Sequence, residues 1–563
     1  MIGSARLRLW DEGDAKQPWS DGVNTAVFNG ELFNLPELQK TLGMLGASEI
    51  EVLVVGLTRL GPSFLNMVDG QFAGAMISNN DQSWVLFRDR WGQVPLYYFA
   101  DEVELIVGST PNVLRAYVGE RAWTPDVAGL METVCWWGPS APRTAWQGVA
   151  QVPAGHVVEI ARGVSPRSLK WATSVGGPDD SDSAQDNLVP DLARHLERSV
   201  ATRSRTSGDG IAGSLSGGID SFLVCAYATG HGLRHTFGLV SRFGNEDHVA
   251  QTAIARGLGV THSVVELTPS RIASAFESEV RSIGVPLVRL GPVAMGMLAR
   301  EVSTQGFRVC LTGEGADELF GGYDSFRLLA SFMGMFPGVP WEAFGSAEFD
   351  AGRSAGAAYW KFASENAAGP LAARASLARL TTRYTTFPSA SIVSEQESRA
   401  LALLGDGADT LENLRQAEID RLLACYLLPV QSDHAWANHA VEARFPWLSS
   451  EVANLALRTP VRRLIEPARG KIPIRQLGGQ LVEQLGLPSV DFSKRAFRTE
   501  LSSLMADPAA AQVITDLCRR CPASMIDVPA VLQLMEACAQ RRRWSESQSM
   551  LVILTASLGV LCG

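Results

Sequence analysis

The sequence predicts an α/β protein in two parts, a β-rich first part followed by a doubly wound parallel sheet with a helical extension. Three observations carry that expectation. Residues 1–172 hold short strand-like runs between turn formers, residues 173–186 are polar, and beyond them strands and helices alternate. Such alternation predicts a parallel sheet with helices on both faces.

In the first part "NTAVFNGEL", "QFAGAMIS", "SWVLFRD" and "VELIVGS" read as strands, separated by turn-forming Gly, Asn, Asp and Pro. The stretch "TSVGGPDDSDSAQD", rich in Gly, Ser and Asp, is the expected linker, so domains are expected at 1–172 and 187–563. "GIAGSLSGGID" then leads into the helical "SFLVCAYATGHG", and "HTFGLVS" into "EDHVAQTAIARGLG". "HSVVEL" precedes a longer helical stretch, and "RVCLTGEG" precedes "ADELFGGY". Beyond residue 325 the pattern is mostly helical, with a Pro- and Arg-rich break near 458–475. The closing "MLVILTASLGVLCG" is apolar but shorter than the roughly 20 residues that span a bilayer, so it reads as a buried helix with no membrane contact.

The 563 residues are 46% hydrophobic and 19% charged, a globular composition, and the net charge of −10 argues against nucleic acid as a partner. A small molecule, a nucleotide with its metal, or a peptide is expected instead. The start "MIGSARLRLWDEG" has no apolar secretory segment. Eight cysteines, most inside apolar runs, read as reduced thiols of a cytoplasmic protein. Cys518 and Cys521 form a lone CxxC without the second ligand pair that a zinc site needs.

In a doubly wound sheet, ligands sit beyond the carboxyl ends of the strands. "SLSGGIDS", residues 214–221, lies at one such end and "LTGEGADE", residues 311–318, at another. Glycines let backbone N–H groups approach a polyphosphate, and a following helix start adds a positive dipole end. No lysine follows these glycines, so this is not a Walker-type loop. Asp220 beside phosphate would be repulsive without a cation, and Asp317 would supply the other half of a Mg²⁺ site. The plainer alternative is a Gly-Gly turn with Asp220 capping a helix.

These residues carry a resemblance. "SLSGGIDS" resembles the PP-loop of ATP pyrophosphatases, which adenylate a substrate and release pyrophosphate. With "LTGEGADELFGGY" and "HAVEARFPWL" it resembles the asparagine synthetase B family. "NTAVFNGELFN", "LNMVDGQFAGAMI" and "FRDRWGQVPLYYF" are similar to that family's glutaminase domain, an N-terminal-nucleophile-type fold. The resemblance implies that Ser216, Gly217, Gly218 and Ser221 hold the ATP phosphates, with Asp220 and Asp317 on Mg²⁺. It implies that Thr312 and Gly313 line the nucleotide pocket, and that Glu314 takes a proton from the attacking amine. Lys471, in "ARGKIPIR", would neutralise charge on the departing pyrophosphate. The alternatives are a helix cap for Glu314 and an ordinary surface lysine for Lys471.

Two departures, and one match at Glu314, bear on the reaction. Glutamine-dependent relatives begin with a catalytic cysteine, whereas this sequence begins Met1-Ile2-Gly3-Ser4 and its first cysteine is Cys135. "RLRLWDEGDAKQPW" resembles a segment inside the family's domain, so the first domain is expected to be degenerate, with Asn29, Gly30 and Glu31 left as a glutamine-binding motif without a thiolate; an upstream start codon would restore one. β-Lactam-forming relatives tend to carry tyrosine at the position of Glu314. Ser449 stands where asparagine synthetases have aspartate. The expected reaction is therefore ATP-dependent closure of a substrate's own amine onto an Asp or Glu side chain, as in lasso peptide macrolactam cyclases. The substrate would be a peptide or small molecule bearing carboxylate and amine, and a leader-peptide-processing protease would be a partner. The rivals are an ammonia-dependent asparagine synthetase, another small-molecule amide or lactam synthetase, and an inactive ATP-binding regulator.

Overall fold

The computed structural model describes residues 16–563 except 103, 120–123, 174–186, 207–209, 242–244, 337–376, 388, 405–409, 488–491 and 493–500. All of the expected linker but Thr173 lies outside the described residues.

The first part is built on β1 (Trp19–Ser20), β2 (Asn24–Leu32), β3 (Gly70–Ser78), β4 (Trp84–Arg88) and β5 (Tyr97–Ala100). It is completed by β6 (Leu105–Gly108), β7 (Val149–Gln151), β8 (His156–Ile160) and β9 (Arg167–Lys170). Six of these pair in the order β1-β2-β3-β4-β8-β9 and three as β6-β5-β7, every pairing antiparallel. Successive side chains on a strand point to opposite faces. Phe28, Phe72, Phe87 and Val157 therefore pack on one side with the helices Leu35–Leu42 and Glu49–Leu60. Ala73, Leu86 and Val158 pack on the other with Tyr98 of the smaller sheet. The four expected strands are present. β1, β5 and β7–β9, of two to five residues each, are additional to them.

The second part contains β10 (Ile211–Ser214), β11 (Leu233–Ser241), β12 (Thr261–Leu267), β13 (Val309–Leu311) and β14 (Glu442–Arg444), parallel and ordered β12-β11-β10-β13-β14. The chain enters at the centre, moves outward through β11 and β12, then returns to the other side of β10. That reversal leaves a crevice between the tips of β10 and β13. The fifth strand falls within the stretch beyond residue 325 that is expected to be mostly helical. A three-residue strand has no period to read, and only the free edge of β13 makes Glu442–Arg444 extended. Just before it runs a π-helical stretch, Glu418–His434, with Pro429 inside. The closing helix Glu546–Cys562 is buried from Met550 to Leu561, and among the described residues no helix is long and apolar enough to cross a membrane.

The two parts share a core. One continuous apolar cluster runs from Trp91, Trp136 and Trp146 of the first part to Phe222, Leu311, Trp447 and Ile553 of the second. Arg203, fully buried, makes two hydrogen bonds to Asp69 at 3.0 and 3.1 Å. Trp91 donates to the Leu448 carbonyl at 2.9 Å and Gln71 to that of Ala443 at 3.3 Å.

Candidate active site

After β10 the chain turns through Gly217 into the helix Ile219–Ala228, whose N-cap is Gly218. Asp220 therefore stands in the first turn rather than at the cap, which excludes the plain capping alternative. The turn is held by two hydroxyls. Ser216 N–H donates to Ser221 Oγ at 3.1 Å, and Ser221 Oγ donates to the Gly218 carbonyl at 3.1 Å. Gly218 N–H donates to Ser216 Oγ at 3.3 Å. Ser216 is exposed while Ser221 is buried, so the loop offers one hydroxyl outward and keeps one as its brace.

β13 ends at Leu311 beside Gly213 of β10, which sets the two loops against each other. A side chain at Gly313 would approach Ser221 N to 3.0 Å, a tight contact that glycine avoids. Thr312 N–H donates to the Arg444 carbonyl at 3.0 Å, tying the tip of β13 to β14. Glu314 precedes Gly315, the N-cap of the short helix Ala316–Phe320, and so it is not the cap. Burial raises the Glu314 carboxyl above the ordinary range; Thr312 draws it back and the Asp220 and Asp317 charges push it further up.

Lys471 is 3% exposed and is no surface lysine. Its ammonium lies 2.6 Å from Asp220 Oδ2 and 2.8 Å from Asp317 Oδ1. Burial works against the charge, but the two carboxylates outweigh it and hold the ammonium above its ordinary pKa. Lys471 lies 251 residues beyond Asp220 and 154 beyond Asp317 in the chain, yet the three meet at one point between two strand tips. Two carboxylates that one ammonium can bridge are close enough for one small divalent cation, and carboxylate oxygens are the hard donors that Mg²⁺ takes. Among the described residues no group of three or more His, Cys, Asp or Glu could hold a metal, so the remaining ligands would come from phosphate and water.

Sequence reasoning missed three supports. Gln251, 1% exposed, donates to the Ser216 carbonyl at 3.3 Å and the Leu239 carbonyl at 3.1 Å, bolting the loop to β11. Arg444, inside the quoted "HAVEARFPWL", donates to the carbonyls of Arg203 and Arg205 and lies 3.8 Å from Glu31. Arg475 follows Lys471 by one helical turn. Only Arg475 carried a signal, its four-residue spacing from Lys471.

Residues 191–559 match the family model described as asparagine synthase, and residues 1–171 match the glutamine amidotransferase domain. The chain belongs to the asparagine synthase family. Among curated relatives it is 29% identical to "Amidase chyE" of Penicillium rubens, over 58% of this chain and 52% of that protein. It is 26% identical to "Asparagine synthetase [glutamine-hydrolyzing] 3" of Bacillus subtilis, over 61% of this chain and 58% of that one. It is 27% identical to "Asparagine synthetase B [glutamine-hydrolyzing]" of Escherichia coli, over 58% and 57%. The matched part spans a little over half the length of these relatives.

Family membership leaves the amidotransferase motif to be read from its own geometry. Asn29 is exposed, Glu31 is buried toward Arg444, and a side chain at Gly30 would fall 2.0 Å from the Gln71 carbonyl. Gly30 thus has a backbone reason to be glycine. Ser449, which stood out as a departure, accepts a hydrogen bond from Val452 N–H as the N-cap of the helix Ser450–Arg458. Aspartate caps equally well, so position 449 reports on capping rather than on the acceptor.

Proposed function

We propose that this protein is an ATP-dependent amide ligase that activates an Asp or Glu side-chain carboxylate and closes it with the substrate's own amine, with a lasso-type peptide as the substrate. The supporting observation is the ammonium of Lys471 held between Asp220 and Asp317 at the crevice of the sheet. A carboxylate is a poor electrophile, so its oxygen must first displace pyrophosphate from the α-phosphate of ATP. The Ser216 hydroxyl and the N–H groups of Gly217 and Gly218 would receive the phosphates, with Thr312 and Gly313 lining the opposite wall. Asp220 and Asp317 would hold Mg²⁺, which supplies charge neutralisation for the phosphate oxygens. Lys471, whose ammonium bridges those two carboxylates, would give up that place to the cation and add positive charge toward the departing pyrophosphate.

In the second step the amine attacks the activated carbonyl and AMP leaves. Glu314, its pKa raised by burial, is suited to accept the amine proton. Holding amine and acyl group on one molecule replaces a bimolecular encounter and can supply roughly 7–11 kcal/mol of the barrier.

The test is a candidate precursor peptide incubated with ATP and Mg²⁺ and weighed by mass spectrometry. Loss of one water with release of AMP supports internal closure. Asparagine formed from aspartate and ammonium, with the peptide unchanged, would replace this reading by the ammonia-dependent one. No pyrophosphate exchange with any carboxylate offered would remove the ligase reading altogether.

A further inference from the structure

The backbone of Lys471 adopts φ 57° and ψ 43°, the left-handed region. A non-glycine residue stays there only where its surroundings over-determine the turn. The two carboxylates restrain the far end of the side chain, so the backbone must be held by something else.

Arg475 is placed to do it. Its Nε–H donates to the Gly470 carbonyl at 3.0 Å, immediately before Lys471, and its own backbone N–H donates to the Lys471 carbonyl at 3.0 Å. Its Nη1 donates to the Phe492 carbonyl at 3.3 Å. The Phe492 ring in turn lies 5.2 Å from that of Phe222, on the helix that begins at the Ser216–Ser221 loop. A guanidinium is a rigid planar fork, so one that bridges two carbonyls fixes their separation, which a lysine's single ammonium does not.

We infer that Arg475 is a positioning residue whose guanidinium clamps the Gly470 carbonyl to that of Phe492, keeping Lys471 in its left-handed turn with its ammonium between Asp220 and Asp317. The inference rests on the proposed function for its catalytic meaning, but its test needs no nucleotide and no substrate.

The full chain is treated with an amine-acetylating ester, and each lysine is followed by peptide mass spectrometry. In the unaltered protein Lys471 lags the exposed Lys40 and Lys170. Arg475→Ala is expected to speed Lys471 labelling about tenfold, because a turn held about 1.4 kcal/mol more weakly opens its buried side chain to the reagent more often, with Lys40 and Lys170 unchanged. Arg475→Gln keeps one donor for Gly470, guards against an alanine variant that fails to fold, and is expected to give an intermediate rate. An unchanged Lys471 rate in Arg475→Gln overturns the inference, whatever becomes of the alanine variant. A blank pyrophosphate exchange beside a faster Lys471 rate counts against the proposed function alone; the reverse pair of results counts against the clamp alone.

Discussion

Lys471 has its protonation fixed by Asp220 and Asp317, so it serves the site as a permanent charge rather than as a proton carrier. Lys471→Ala should lower ATP–pyrophosphate exchange by about 10²–10³-fold, the size of losing one well-placed electrostatic donor. Glu314 differs, because its raised pKa leaves it able to titrate. The base form fills only as pH rises through that pKa, so amide formation should climb with pH along an acid limb. Glu314→Gln should abolish that limb while leaving pyrophosphate exchange in place; loss of both steps together would refute a role confined to the amine. Asp433, on the π-helical stretch, offers a separate check. Burial pushes its carboxyl up to about 8; Arg88 draws it back, and Glu442 and Asp89 add to the rise. It is neutral in the fold and ionised in the unfolded chain, so the stability it contributes is full below its ordinary pKa and fades as pH rises toward 8. Asp433→Asn should flatten the fall in urea midpoint between about pH 5 and 8.

Where the tips of β10 and β13 meet, the two loops approach closely. A methyl group at Gly313 would meet Ser221 N at 3.0 Å, so the neighbouring backbone would have to give slightly. Gly313→Ala should weaken ATP binding by about tenfold, or 1.4 kcal/mol, with the melting temperature nearly unchanged. Calorimetric titration with ATP and Mg²⁺ reads this directly. The contrast is the helix Ser450–Arg458, capped by Ser449. Ser449→Ala should cost about 1 kcal/mol of stability and leave the acceptor preference alone.

The first part of the chain does not stand beside the synthetase part as a loose neighbour. Trp91, Trp136 and Trp146 enter the same apolar cluster as Phe222 and Leu311, so the parallel sheet that bears the site is packed in part by first-part residues. The ion pair between Asp69 and the fully buried Arg203 lies at that junction. Asp69→Ala would leave a buried guanidinium without its counter-charge, at a cost of about 3–5 kcal/mol by chemical denaturation. Calorimetry on the intact chain should show one unfolding transition; two well-separated ones would contradict a shared core. The first part thereby acts as a buttress, with Arg444 reaching from β14 toward Glu31.

The sequence by itself determined the class of the fold and singled out the two loops of the candidate site. Glycines beside hydroxyls and acids, each set directly after a short apolar run, are local patterns, and local patterns survive without coordinates. The expected strands β2, β3, β4, β6 and β10–β13 follow from such patterns, whereas their order in the sheet does not. Only the tertiary structure decided that Lys471 is buried between Asp220 and Asp317, that Glu442–Arg444 is a strand, and which carbonyls Gln251, Arg444 and Arg475 bond around these loops. These depend on contacts between residues far apart in the chain. A side chain acquires such partners only when folding brings distant backbone together, and nothing in its immediate neighbours records them.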